Sequence, residues 1–173
     1  MLASVAAAGL ARARAGGGGL EVLPVDHAGL LREVARHRGK VVVLDCWSTA
    51  CPPCIKEFPG LVRLAAAHPD NVACLSLALD YDGVDTVEDL LPPVREFLDK
   101  VGARDIVNMI ATEEIDAMAR KLEIVGVPAV FVWRPDGSLA TRYDDDYAAA
   151  ALGRPFTYAD IEETVAGLVA AGR

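Results

Sequence analysis

The run Val41-Val42-Val43-Leu44-Asp45-Cys46-Trp47-Ser48-Thr49-Ala50-Cys51-Pro52-Pro53-Cys54 constrains this chain more than any other stretch. Residues 41–47 are apolar except for Asp45, the pattern of a strand buried on both faces of a parallel sheet. A few residues later the chain reaches Cys-Pro-Pro-Cys. Two cysteines at this spacing, where a strand hands over to a helix, form a reversible dithiol/disulfide pair. The helix N-terminus supplies free N–H groups and partial positive charge, which favour a thiolate on the first cysteine.

The rest of the composition narrows the classes. One domain is the expectation for 173 residues, and 53% hydrophobic residues suffice for a sizeable core. A net charge of −8 argues against a nucleic-acid partner, which needs a basic face. No apolar run has the length of a transmembrane helix. Four cysteines are too few for a disulfide scaffold. Cys46 and Cys74 lie in apolar strand patterns and read as small buried hydrophobes. A zinc site would need four ligands, and Cys46, Cys74, His27, His37 and His68 are not spaced to complete one with Cys51 and Cys54. No metal is expected. Residues 1–19 are an apolar, Ala-rich stretch, then Ala-Arg-Ala-Arg-Ala, then four glycines. They read either as a flexible Ala/Gly-rich tail or as a remnant of an export signal, with charges atypical for one.

Periodicity orders the remainder. Residues 20–25 alternate as a strand, and Asp26 caps a helix to about residue 38 with Leu30, Leu31 and Val34 on one face. A helix over 52–67 contains Pro59, which should kink it. Residues 72–79 form the next buried strand. A helical stretch over 84–102 is expected to break at Pro92-Pro93 and to end at Gly102. A short strand at 105–110 follows, then a helix capped by Thr112. Residues 129–133 and 138–143 flank the hairpin turn Arg134-Pro135-Asp136-Gly137. Thr157, with Asp160 three residues on, caps a last helix. Parallel crossovers followed by a hairpin predict an α/β fold with a mixed central sheet and helices on both faces.

The motifs Trp47 to Cys54, Lys56-Glu57-Phe58-Pro59, and Gly126-Val127-Pro128 before a strand resemble the thioredoxin superfamily. Cys-Pro-Pro-Cys with Glu-Phe-Pro is most similar to TlpA/ResA-type thiol–disulfide oxidoreductases. The resemblance covers about residues 20–171 and implies a thioredoxin-like fold. Cys51 is then the nucleophile and Cys54 the buried resolving thiol. Exchange runs through a mixed disulfide that the second sulfur cleaves. Asp45 matches the buried acid of thioredoxins. Its pKa should be raised by desolvation, as suits a base for Cys54. The alternative is a solvated carboxylate at the strand end. Glu57 matches an acid near the dithiol of ResA-type proteins, or is an exposed helix carboxylate. Pro128 matches the cis-proline next to the disulfide, which leaves the Val127 backbone free to pair with an extended client. Trp47, Ala50, Pro52, Val127 and Pro128 are expected to line the client surface. Ala50 stands where Trp is common and makes that rim smaller.

The resemblance implies reduction of disulfides in client proteins, for example in cytochrome c maturation or copper-site assembly. An upstream thiol donor would re-reduce the protein, with the Cys51–Cys54 disulfide in place of any cofactor. A monomer in the periplasm or another extracytoplasmic compartment is expected, and a cytoplasmic location stays open. Two rivals share the fold. A thiol peroxidase places Thr three residues before its reactive Cys, whereas Thr49 is two before Cys51. A Cu(I) assembly chaperone would exploit soft thiolates, but usually with Cys-x-x-x-Cys and a distant His.

Overall fold

The computed structural model describes residues 20–172, so the tail or signal reading of 1–19 lies outside the described residues. In chain order the elements are β1 (Leu23–Val25), α1 (His27–Arg36), β2 (Val41–Trp47), α2 (Pro52–Glu57), α3 (Pro59–Ala67), β3 (Val72–Ala78) and α4 (Val87–Val101). There follow β4 (Val107–Ala111), α5 (Ile115–Leu122), β5 (Ala129–Trp133), β6 (Leu139–Tyr143), a short α6 (Asp145–Tyr147) that runs into a π turn (Ala148–Leu152), and α7 (Tyr158–Ala171).

The strands make one mixed sheet in the order β1-β4-β3-β2-β5-β6. β1, β4, β3 and β2 are mutually parallel; β5 runs antiparallel to β2, and β6 antiparallel to β5. β2 is buried at every position because it has strands on both sides and helices over both faces. Alternation along the strand deals its side chains out. Val41, Val43 and Trp47 join a core with α2, α3, α4 and α7. Val42, Leu44 and Cys46 join a second core with α1 and α5.

Caps explain the boundaries. Asp26 accepts the Gly29 N–H at 2.7 Å and starts α1. Thr157 and Asp160 form the capping box that starts α7. Five expectations need correction. The first strand is only Leu23–Val25, although Leu20 and Val22 are buried ahead of it. Leu31 is 48% exposed; Leu30 alone of its trio is fully buried. The helix around Pro59 is two helices, parted at Phe58, with Pro59 opening α3 where its missing N–H is not needed. Pro92 and Pro93 do not break α4. Both lie on its exposed side, so the carbonyls they leave unpaired reach water, while Val94 and Leu98 anchor the helix in the core. Thr112 does not cap α5. Its N–H bonds to Val25 O at 2.9 Å and prolongs the sheet ladder, so the helix begins after Glu114.

Candidate active site

Cys51 is the N-cap of α2, in extended backbone, and its Sγ accepts the Cys54 N–H at 3.3 Å. The N–H is one of those a helix start leaves without a backbone partner. Cys51 and Cys54 are joined by a disulfide, with S–S 2.06 Å and Cα–Cα 5.3 Å. Cys51 is 8% exposed and Cys54 3%, so the first cysteine is the more accessible of the two. The Val127–Pro128 peptide is cis. Cys51 Sγ lies 3.7 Å from the Val127 carbonyl oxygen, across 76 residues of sequence. A disulfide sulfur has no proton to give, but a Cys51 thiol here would find that carbonyl as its acceptor. Val127 and Pro128 are half-buried, and Ala50, Pro52 and Pro53 are exposed beside the disulfide. Val125, in the same loop as Val127, is 77% exposed.

Asp45 lies on the α2 side of the sheet, 3% exposed. The hydroxyl of Tyr158, from α7, donates to its Oδ2. Burial pushes the Asp45 pKa up from 3.8 to about 7; the Tyr158 hydrogen bond pulls against this, and the charge of Glu57 adds to it. A carboxyl in that range is matched to proton transfer near neutral pH. Glu57, at the end of α2, is half-buried and accepts the Tyr158 backbone N–H at 3.3 Å. Its contact with exposed Lys56 is 3.9 Å and contributes little. The two acids therefore share one partner.

Sequence reasoning missed Tyr158, which stands 113 residues from Asp45. A faint signal exists in Gly60, a glycine inside a helical pattern, which often marks a close approach. An ideal Cβ on Gly60 would stand 2.1 Å from Tyr158 Cγ, so the ring needs that gap. Asp80, just beyond β3, was also missed. Its Oδ1 accepts from Ser48 Oγ at 3.1 Å, from Thr49 N at 2.9 Å and from the Thr49 hydroxyl. Ser48 in turn accepts the Ala50 N–H at 3.2 Å, and its carbonyl accepts the Cys51 N–H at 3.1 Å. This latch fixes the loop that carries Cys51 to the end of β3.

Trp47 needs correction. It does not line a client surface, because it is fully buried. Alternation turns it to the same face as Asp45, where its ring centroid lies 5.1 Å from Phe58 and 4.8 Å from Phe97 of α4. Cys46 and Cys74 are free and buried. Burial pushes the Cys46 thiol well up and the Cys74 thiol to about 12, so both stay protonated and poorly nucleophilic. Among the described residues, no group of three or more His, Cys, Asp or Glu is arranged to hold a metal ion. Nor is any helix among them long and apolar enough to cross a membrane.

No protein-family model matches the chain. Among solved structures it is similar to a secreted Mycobacterium tuberculosis disulfide oxidoreductase homologous to E. coli DsbE. That match has 22% identity and a TM-score of 0.57 over 78% of this chain and 86% of the other. It is also similar to M. tuberculosis DsbF, at 22% identity and a TM-score of 0.54 over 75% and 81%. A third match is a thiol:disulfide interchange protein of the thioredoxin family from Chlorobium tepidum, at 19% and 0.53 over 78% and 83%. The chain thus has the thioredoxin-like fold.

Proposed function

We propose that the protein is a thiol–disulfide oxidoreductase that reduces disulfides of client proteins through the Cys51–Cys54 couple. The observation that carries this reading is the Cys51–Cys54 disulfide at the start of α2, with the Cys51 sulfur 3.7 Å from the Val127 carbonyl oxygen. The reduced Cys51 thiolate attacks one sulfur of the client disulfide. That S–S bond breaks, a mixed disulfide forms, and the departing client sulfur takes up a proton. Asp45 accepts the Cys54 proton, and Cys54 attacks the Cys51 sulfur. The second client thiolate leaves, and two electrons have passed to the client. An upstream dithiol donor then restores the reduced pair. Ala50, Pro52, Val127 and Pro128 form the rim a client meets, with the Val127 backbone offering strand-like pairing. Glu57 tunes the charge around Asp45. An extracytoplasmic setting such as cytochrome c maturation or copper-site assembly fits this chemistry, since client disulfides persist in oxidising compartments.

Insulin reduction with a dithiol donor tests the reading. The wild-type protein should be active, Cys51→Ser should fall to background, and Cys54→Ser should accumulate mixed disulfides. Peroxide consumption or stoichiometric Cu(I) binding without insulin reduction would overturn it in favour of a peroxidase or a chaperone. The potential of the Cys51–Cys54 couple decides the net direction.

A further inference from the structure

Tyr158 is the first residue of α7, yet it touches both acids of the site. Its hydroxyl donates to Asp45 Oδ2, and its N–H donates to Glu57 Oε2. The side chain is 2% exposed. Gly60 keeps its place open: an ideal Cβ there would also stand 2.3 Å from Tyr158 Cβ. The start of α7 is held independently of the site. Asp160 accepts the Thr157 N–H at 2.8 Å and two bonds from Arg154, at 2.6 and 2.9 Å. The hydroxyl thus reaches Asp45 from a braced element.

A hydroxyl that donates to a carboxylate stabilises the anion, most of all where water does not compete. The other groups around Asp45 do the opposite or nothing. Glu57, from α2, disfavours a second negative charge. Cys46 on β2 and Cys74 on β3 are held neutral by burial. Val130, opposite Asp45 on β5, is apolar. Tyr158 keeps its own proton, since burial and the neighbouring Asp45 push its pKa well above the ordinary phenol value.

We propose that Tyr158 is a positioning residue for the exchange reaction: its hydroxyl keeps Asp45 available as a carboxylate and so sets the pH at which Cys54 resolves the mixed disulfide. The proposal rests on the reading of Asp45 as the base for Cys54.

Tyr158→Phe removes only the hydroxyl and keeps the ring against Gly60. The Asp45 carboxyl is followed directly by 13C NMR in the oxidised protein labelled with 13C-aspartate, assigned by the loss of its signal in Asp45→Asn. In Tyr158→Phe its midpoint should rise by about one pH unit, the size expected for one lost hydrogen bond. Stopped-flow measurement of the resolving step should show the same upward shift, with the variant rejoining wild type at high pH. A midpoint that stays or falls overturns the proposal, even if the rate drops, because lost packing slows the step equally at every pH. A second handle leaves the chain sequence untouched. Replacing tyrosine with 3-fluorotyrosine makes the phenol a stronger donor, so the Asp45 midpoint should fall, and the effect should vanish in Tyr158→Phe. No response to fluorine also overturns the proposal. Failure of the underlying reading looks different. Asp45→Asn would then resolve at the wild-type rate although the carboxyl titration still answered to Tyr158, and the role in exchange would be overturned.

Discussion

The two faces of the central sheet differ sharply, although the same strands supply both. Toward α1 and α5 the strand positions are apolar throughout: Leu44, Cys46, Leu75, Leu77, Met109 and Phe131 pack in one cluster. Toward α2, α4 and α7, Asp45, Ser76 and Asn108 stand side by side on β2, β3 and β4. Each of these three side chains has a partner, whereas the indole N–H of Trp47 on the same face has none. Tyr158 serves Asp45. Ser76 Oγ donates to Asn108 Oδ1 at 2.9 Å, and the Asn108 amide donates to the carbonyls of Ala103 at 2.8 Å and Ile106 at 3.1 Å. Burying a polar group without a hydrogen bond is costly, so the polar row persists only because these bonds are made. One face is apolar throughout, and the other carries a buried carboxyl, Asp45, on the side of the sheet that α2 and α7 cover.

The largest effect should separate the faces by rate. Asp45→Asn should slow the resolving step by about 10²–10⁴-fold, the usual range for general-base help, and leave attack by Cys51 nearly unchanged. Glu57→Gln should do less. Stopped-flow rates for both steps check this, and a larger resolving loss in Glu57→Gln would move the base role to Glu57.

Stability should separate them by pH. Asp45 holds its proton to about pH 7 when folded, against an ordinary value of 3.8. Between those values the folded state binds one proton more than the unfolded state. The stabilisation from this one group is therefore fully present below about pH 4 and is lost as pH rises toward 7, on the order of 4 kcal/mol in all at ~1.4 kcal/mol per unit. Urea melts of the oxidised protein at several pH values should show this fall. Asp45→Asn should flatten it and be the more stable protein at pH 8. An unchanged slope in Asp45→Asn would assign the fall to other groups.

On the apolar face, Leu44→Ala should cost about 2–5 kcal/mol through the cavity it leaves, with the exchange rate per folded molecule unchanged. A rate loss at full folding would break the contrast between faces. The smallest effect is expected for the paired change Cys46→Ala/Cys74→Ala. Stability should drop by about 1–2 kcal/mol, and insulin reduction should persist. A folded double variant without activity would give the buried thiols a part in the chemistry.

Much of the architecture is local and was legible. The apolar run 41–47, the turn Arg134-Pro135-Asp136-Gly137 and the Thr157–Asp160 cap each carry their own signal, and each appears where it is read. Alternation also shows that Asp45 and Trp47 share a face opposite Cys46. It does not show how deep a helix covers that face, which is why Trp47 reads as a client contact and proves to be core. The prolines of α4 mislead for a related reason. A lost backbone bond matters little where the freed carbonyl meets water, and exposure belongs to the tertiary structure.

The sequence by itself determined the cysteine pair that bonds, because the spacing of Cys51 and Cys54 at a strand–helix junction is short-range chemistry. It also determined the class of fold, because periodicity and turn residues act over a few positions. Only the tertiary structure decided what surrounds that pair. The approach of Val127 to Cys51 spans 76 residues, the Asp80 latch on Ser48 and Thr49 spans 32 and 31, and the Tyr158 bridge to Asp45 and Glu57 spans 113 and 101. No local pattern encodes such contacts. They exist because the strand order sets β3 and β5 on either side of β2, and because Gly60 leaves room for one ring of α7.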